Sequence, residues 1–136
     1  MKKFTLLFSF FILAFASSCS SDDDGGSNSD PFIGEWKFYK YFVDDVEVQL
    51  EACEYESTII ITSNGTFTTT QYEDDLNGGC ELEYVVSGTW ENEGNGFYTT
   101  VSEGDSYTQE VHFEGNTMYT EEVDEGVVYK SVFIKE

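Results

Sequence analysis

The chain has 136 residues, of which 27 are acidic and six are lysine, and its formal net charge is −21. An acidic surface repels phosphate backbones and anionic lipid head groups, which argues against nucleic-acid binding and against charge-driven membrane binding. Aromatic residues make up 17 % of the chain, too large a share for a disordered protein, and the length suits one folded domain.

The chain begins with a short basic and apolar segment. Lys2 and Lys3 precede an apolar run over 4–16. As a helix this run would reach about 20 Å, which is short of the roughly 30 Å hydrocarbon core of a bilayer. An amphipathic or buried helix would show a polar face, and this run has none. Residues 1–18 are therefore predicted to be a secretory signal peptide.

Three small residues, 16–18, stand directly before Cys19, with Leu13 and Phe15 just upstream. This arrangement resembles the lipobox of bacterial lipoproteins. The resemblance implies that Cys19 becomes the mature N-terminus and carries several acyl chains, of the palmitate type. Because one acyl chain anchors only marginally, several chains would make the membrane attachment stable.

Residues 19–31 are predicted to be a lipidated cysteine followed by an acidic flexible tether. Residues 20–30 are all small or acidic, and random-coil scaling gives them a span of about 18 Å. Pro31 marks the edge of the folded domain. The acidic run resembles the export signal of Bacteroidetes-type lipoproteins, which implies an outer-membrane protein exposed on the cell surface. The alternative is a solvated linker on a periplasm-facing lipoprotein.

The two remaining cysteines, Cys53 and Cys80, form an even pair. In the oxidising cell envelope such a pair is predicted to be a disulfide bond. A metal site would need more ligands, and the only histidine, His112, is far away in the sequence. We therefore expect no metal.

Beyond Pro31 the chain has the alternating pattern of β-strands. Ser63-Asn64-Gly65-Thr66 between two β-branched runs predicts a hairpin, and glycines at 96, 104, 115 and 126 are spaced as in a meander or barrel. Eight strands are predicted, the weakest at 46–50, and a ninth segment at 127–135 competes for a place. The eight lie near 35–43, 46–50, 57–63, 66–72, 82–91, 97–102, 106–113 and 117–123.

These residues carry a resemblance to a known family. Gly34-Glu35-Trp36 opens a strand, and a cysteine, the Asn-Gly hairpin, a second cysteine and Gly88-Thr89-Trp90 follow in order. The set resembles the small lipocalin-like domain of Bacteroidetes lipoproteins and covers residues 32–136. It implies an all-β fold, an antiparallel up-and-down barrel of about eight strands, and a family that generally binds small apolar molecules. We expect no counterpart in this sequence of the C-terminal helix of full-length lipocalins.

No residue pattern in the chain indicates catalysis. His112 lies on the polar face of its predicted strand, and no nucleophile or orienting group is evident near it. The acidic runs at 44–45 and 73–75 lack the regular spacing of a calcium loop, so we interpret them as solvated turns. We expect a protein that is not an enzyme and needs no cofactor.

Aromatic side chains are the candidate ligand contacts. Trp36, Phe38, Phe42, Tyr84 and Trp90 would line a pocket if the barrel were open. Small barrels are usually filled by such side chains, so a packed core is the alternative interpretation.

Two lysines suggest a more specific hypothesis. Lys40 shares a predicted strand face with Trp36 and Phe38, and Lys130 shares one with Val132 and Ile134. If Trp36 paired with Ile134 in a closed barrel, Lys40 would face Lys130, and an amphipathic acid such as a fatty acid would relieve their repulsion. A one-residue shift in register would instead turn both lysines to solvent and bring tyrosines 39, 41 and 129 and Phe133 inward.

The sequence is therefore compatible with two functions. The first is a surface-tethered module that binds a small apolar or amphipathic ligand in the mouth of its barrel. The second is a structural or interaction lipoprotein with a filled barrel and an acidic face for a partner. An open, apolar cavity favours the first, and a packed interior favours the second. Nothing in the sequence indicates an oligomeric state.

Overall fold

The computed structural model describes residues 29–136. The predicted signal peptide, Cys19 and most of the tether lie outside the described residues. Within 29–136, no helix is long and apolar enough to cross a bilayer. The described chain forms nine strands, which are β1 (Gly34–Val43), β2 (Val46–Val48), β3 (Thr58–Ile61), β4 (Thr66–Asp74), β5 (Cys80–Gly94), β6 (Phe97–Ser102), β7 (Asp105–Glu114), β8 (Thr117–Asp124) and β9 (Val127–Lys135).

The strands close into an antiparallel barrel. Strands β3 to β9 follow one another as a meander, and β1 pairs with β3 on one edge and with β9 on the other. The barrel therefore has eight strands, β1 and β3 to β9, and the predicted all-β meander barrel is confirmed. The competing segment at 127–135 is a barrel strand, because β9 closes the ring. The weak segment at 46–50 is only the short β2, which pairs with the last residues of β1.

Tight turns join most neighbouring strands. At Asn95-Gly96 both residues have positive φ, 55° and 85°, as a two-residue hairpin of this handedness requires. Asp44 and Asp45 adopt the same backbone at φ 49° and 63° without a glycine. A carboxylate oxygen of Asp44 accepts a hydrogen bond of 2.9 Å from the Val128 amide, which holds this turn against β9.

The two ends of the barrel differ. We call the end that carries the β3–β4, β5–β6 and β7–β8 hairpins the closed end, because it contains the hydrophobic core. The opposite end, with the β1–β2, β4–β5, β6–β7 and β8–β9 hairpins, is the open end. The core consists of buried residues from the segment before β1 and from six strands, namely Phe32, Trp36, Ile61, Phe67, Tyr98, Val111 and Met118.

Both tryptophans are fixed in place at the closed end. The indole nitrogen of Trp36 donates a 2.9 Å hydrogen bond to the carbonyl of Phe32, and that of Trp90 donates one of 2.9 Å to the carbonyl of Thr62. A buried indole needs such an acceptor, so each Gly-x-Trp sequence places an anchored ring in the core. The Phe32 ring lies 5.5 Å from Trp90 and plugs this end of the barrel.

The predicted disulfide is present. Cys53 and Cys80 are joined, with their Cα atoms 5.3 Å apart. Cys53 is buried and lies just before a short 3₁₀ helix at Glu54–Glu56, whereas Cys80 begins β5. The bond therefore ties the segment that links β2 to β3 to the open end of β5.

The register of β1 against β9 differs from the expected one. Trp36 pairs with Lys135 rather than with Ile134, and a β-bulge at Tyr39 lets Phe38 pair with Phe133 while Lys40 pairs with Val132. The prediction of one continuous face from Trp36 to Phe42 is therefore wrong. The extra residue reverses the alternation of side chains after Phe38.

Candidate ligand-binding cavity

The middle of the barrel contains a cavity of about 230 Å³. Its lower wall is apolar, with Phe67, Met118 and Phe133 facing inward from three different strands. Towards the open end the lining becomes polar. The full lining comprises Phe32, Ile59, Ile61, Phe67, Thr69, Thr100, Gln109, Met118, Thr120, Ser131 and Phe133.

A second concavity of about 400 Å³ lies above the first, at the open end. The two share three lining residues, Gln109, Thr120 and Ser131, so the upper concavity directly adjoins the cavity. We call the upper concavity the mouth. Its other lining residues are Tyr41, Tyr107, Glu122 and Tyr129.

Aromatic rings and one carboxylate dominate the mouth. The rings of Tyr41 and Tyr129 stack with centroids 6.5 Å apart and planes 20° apart. Glu122 pairs directly across the ladder with Tyr129. Burial, together with the neighbouring Tyr129 and the negative charge of Glu122, raises the pKa of the Tyr41 hydroxyl above its usual 10.0. The hydroxyl therefore stays neutral at physiological pH.

A closed eight-stranded barrel with an internal cavity is the architecture expected of a small ligand-binding barrel. The family model described as a lipocalin-like domain matches residues 32–126, which is more than half of the chain. The chain belongs to the lipocalin-like domain family. No curated protein matches the sequence. The match to the family model ends before β9, the strand whose pairing with β1 closes the lipocalin-like barrel here.

The predicted aromatic contacts occupy two different levels of the lipocalin-like barrel. Trp36 is 2 % exposed and Trp90 packs against the same core cluster, so both form the floor below the cavity. Phe38 packs against Phe133, with ring centroids 5.4 Å apart and planes tilted by 31°, at the level of the cavity. Tyr84 shares the inner face of β5 with Val86 and stays 46 % exposed near the open end.

The two predicted lysine contacts lie on the outer surface. Lys40 pairs with Glu47 at 3.4 Å, and Lys130 lies 3.9 Å from Glu121. The Lys130 ammonium also lies 3.8 Å from the centre of the Tyr119 ring. The hypothesis that these lysines meet at the polar end of the cavity is therefore wrong, because the bulge in β1 and the register of β9 turn both outward.

The alternative interpretation of this face is largely correct. Tyr41 and Tyr129 line the mouth, and Phe133 lines the cavity. Tyr39 is the exception, since it is the bulged residue and is 40 % exposed. Phe42 follows Tyr41 and pairs with the outward-facing Lys130, so it lies on the outer face as well.

Sequence reasoning missed the polar residues of the mouth. Tyr107 and Gln109 share a face with Val111, an alternation that is visible in the sequence. On β8, Met118, Thr120 and Glu122 alternate in the same way. These alternations identify inward positions, but only the barrel shows that the upper ones meet around an opening.

A third concavity, of about 530 Å³, lies on the outer wall beside the disulfide. It is lined by Lys37, Glu56, Thr58, Thr70, Tyr72 and Cys80. Lys37 already has a partner, since its ammonium lies 3.2 Å from a Glu136 carboxylate oxygen. Four of the six residues that line this groove are charged residues or threonines, whereas six large apolar side chains line the cavity inside the barrel.

The remaining candidate groups for chemistry lie apart from the cavity. His112 is on the outer face, where its ring stacks on Tyr119 at 4.6 Å and lies 3.7 Å from a Glu110 oxygen. Among residues 29–136, no three histidine, cysteine or acidic side chains converge as metal ligands would. The lipocalin-like fold is in general a binding fold without catalytic activity.

Proposed function

We propose that this protein is a lipoprotein, tethered to the outer membrane and exposed on the cell surface, whose barrel binds a small apolar or amphipathic ligand. The observation that carries the binding proposal is the pair of adjoining concavities inside the barrel, with an apolar lining near the core and a polar lining at the mouth. Ligand sites typically combine a mostly apolar lining with a few polar groups that fix orientation.

The lining suits a ligand with two unlike ends. An apolar tail beside Met118 and Phe133 leaves water, and each buried methylene contributes about 0.8 kcal/mol. A polar head at the level of Gln109 and Thr120 would keep hydrogen-bonding partners. The alternative role, a structural lipoprotein with a filled barrel, does not account for this space.

The position of the N-terminal segment supports a mouth that faces away from the membrane. Asp30, the described residue nearest the proposed lipid anchor that makes side-chain contacts, lies at the closed end, where it bonds to Tyr98 and Asn92. The mouth is at the opposite end of the barrel. A lipid on Cys19 would therefore hold the closed end towards the membrane and leave the mouth facing outward.

A matched pair of substitutions tests the cavity. Thr120→Phe places an aromatic ring in the shared wall of the cavity and the mouth, whereas Thr108→Phe makes the same change on the outer face of β7. The neutral apolar fluorophore N-phenylnaphthylamine serves as the probe for the unlipidated domain. Thr120→Phe should lower its affinity at least about tenfold, and Thr108→Phe should leave it within about twofold.

Urea unfolding of both variants separates loss of binding from loss of folding. Equal affinities in the two variants, with both folded, would refute binding inside the barrel. Mass spectrometry of small molecules extracted from the purified domain then identifies a natural ligand. No saturable binding of the fluorophore, together with no extracted molecule, would overturn the proposal.

A further inference from the structure

We propose that the mouth selects a cationic head group, so that the ligand is an amphipathic ammonium compound rather than an amphipathic acid. This inference rests on the proposed ligand-binding function and names the chemical class of that ligand. The cavity would hold its apolar tail, and the mouth would hold the positive charge. The side chains that line the mouth and the acidic residues of the surrounding rim both favour a cation.

The mouth offers several acceptors for a cation and no competing positive charge. Tyr41, Tyr107 and Tyr129 present aromatic rings, and Glu122 presents a carboxylate. None of the ion pairs within residues 29–136 includes Glu122. No lysine lines the cavity or the mouth of the described barrel.

Aromatic rings attract cations through their negatively charged faces, and quaternary ammonium groups are recognised in this way. The same chemistry is already present on the outer surface, where the Lys130 ammonium lies 3.8 Å from the Tyr119 ring centre and 3.9 Å from the Glu121 carboxylate. In the mouth, the stacked Tyr41 and Tyr129 rings beside Glu122 offer the same combination of groups without a cation of the chain's own.

The rim strengthens this selectivity. Each of the four hairpins at the open end carries at least two acidic residues, whereas none of the three hairpins at the closed end carries more than one. The acidic sites at the open end are 44–45, 74–75, 103 with 105, and 124–125, and those at the closed end are 93 and 114. A ring of like charge around a cleft concentrates ions of opposite charge and speeds their association.

A fatty acid is the opposite case. Its carboxylate would enter beside Glu122 and within the acidic rim, where like charges repel. The lysines that would have balanced it, Lys40 and Lys130, lie on the outer face with glutamate partners of their own. The register of β9 and the bulge in β1 therefore give the mouth the opposite electrostatic preference to that expected from the sequence.

The test compares three probes that share one tail, namely octyltrimethylammonium, octanol and octanoate. Each is titrated into the unlipidated domain below its aggregation concentration, by calorimetry or by displacement of N-phenylnaphthylamine. The ammonium probe should bind about tenfold more tightly than octanol, and octanoate should bind more weakly than octanol. The advantage of the ammonium probe should shrink at high salt.

Glu122→Gln and Glu121→Gln form a matched pair, since they remove the same charge from neighbouring residues on opposite faces of β8. Glu122→Gln should cost the ammonium probe about fivefold in affinity and leave octanol unchanged, while Glu121→Gln should change neither by more than about twofold. Tyr129→Leu should weaken the ammonium probe more than Tyr129→Phe does, because only phenylalanine retains an aromatic face.

The outcomes separate the two proposals. If octanol and the ammonium probe bind equally in the cavity and Glu122→Gln has no effect, the charge selectivity is wrong and the binding function stands. Tighter binding of octanoate than of octanol would also overturn the selectivity. If none of the three probes binds while N-phenylnaphthylamine does, the charge selectivity is wrong and the binding function stands. If the fluorophore does not bind either and no molecule is extracted, the ligand-binding function itself is wrong.

Discussion

The hydroxyl of Tyr98 donates a hydrogen bond of 2.8 Å to a carboxylate oxygen of Asp30, the residue directly before Pro31. The other Asp30 oxygen accepts a bond of 2.6 Å from the Asn92 amide. Asp30 also accepts the backbone N–H of Phe32 at 2.9 Å. The segment that precedes β1 is thus fastened to the closed end of the barrel, and Phe32 is held in the core.

Tyr98→Phe should destabilise the barrel by about 1–3 kcal/mol, because it removes a hydrogen bond from a buried hydroxyl to a carboxylate. Urea unfolding monitored by tryptophan fluorescence measures the loss. Tyr84→Phe, at an exposed tyrosine of the inner face, is the control and should cost under about 0.5 kcal/mol. Equal stabilities of the two variants would contradict a stabilising role for the Asp30 contact.

The same tyrosine predicts the response to alkaline pH. Burial first, and then the hydrogen bond and charge of Asp30, raise the pKa of the Tyr98 hydroxyl well above its usual 10.0. Below pH 10.0, the usual tyrosine pKa, the hydroxyl is neutral in both the folded and the unfolded chain. Above it, the unfolded chain loses the proton that the folded chain keeps, so stability should fall as pH rises through the ordinary tyrosine range.

Urea midpoints between about pH 9 and pH 11.5 would reveal this fall. The slope should be smaller in Tyr98→Phe, since that variant has no hydroxyl at this site to ionise on unfolding. An identical slope in Tyr98→Phe would show that other groups cause the alkaline loss.

The disulfide between Cys53 and Cys80 should be a large contributor to stability. The bond closes a loop with a sequence separation of 27 residues, for which the chain-entropy relation gives about 3.5 kcal/mol. The double variant Cys53→Ser and Cys80→Ser should lose about that much in urea unfolding. A reducing agent should lower the stability of the parent protein to the same level and leave the double variant unchanged, and a response of the variant would point to another cause.

Gly88, of the second Gly-x-Trp sequence, occupies a position with no room for a side chain. A Cβ atom there would press against the carbonyl oxygen of Val101 and lie 2.9 Å from the Phe67 ring. Gly88→Ala should therefore cost about 1–3 kcal/mol through overpacking. Ser87→Ala, on the outer face, should cost under about 1 kcal/mol. Similar losses of stability in the two variants would show that Val101 and Phe67 can move to make room for a side chain at Gly88.

Cys19→Ala tests the proposed anchor. The variant should leave the membrane fraction and appear in soluble fractions, because the lipid is the only proposed membrane contact. Its barrel should unfold at the same urea concentration as the parent domain, since the barrel strands begin at Gly34. Retention of the variant in membranes after a salt wash would contradict lipidation at this residue.

Local patterns were enough to predict the strands and the barrel. The alternation on β7 and the Asn-Gly turn after Ser63 act between neighbouring residues, so the sequence alone carries them. The Cys53–Cys80 pairing was predictable because these are the only two cysteines after Cys19. The position of Phe32 was not predictable in the same way, because Pro31 marks a domain edge in the sequence while the residues on both sides of it bond into the barrel.

The composition of the mouth could not be predicted, because it depends on long-range register. Tyr41 and Tyr129 are separated by almost the whole domain and meet only where β1 pairs with β9. A shift of one residue exchanges the faces of a strand, and both faces of these two strands carry apolar residues. The hydrophobic pattern therefore could not decide which face turns inward.

The bulge at Tyr39 has a consequence for the length of the chain. Tyr39 has no partner on β9, so its removal would leave Phe38 directly followed by Lys40. Phe38 would still point inward and Lys40 outward, as they do in the barrel now. Removing Lys40 instead would have the same effect on the backbone, because Tyr39 would then take the outward place opposite Val132. Among homologues of this chain, the site of Tyr39 should thus be the place in β1 where one-residue length differences accumulate without changing what the cavity presents to a ligand.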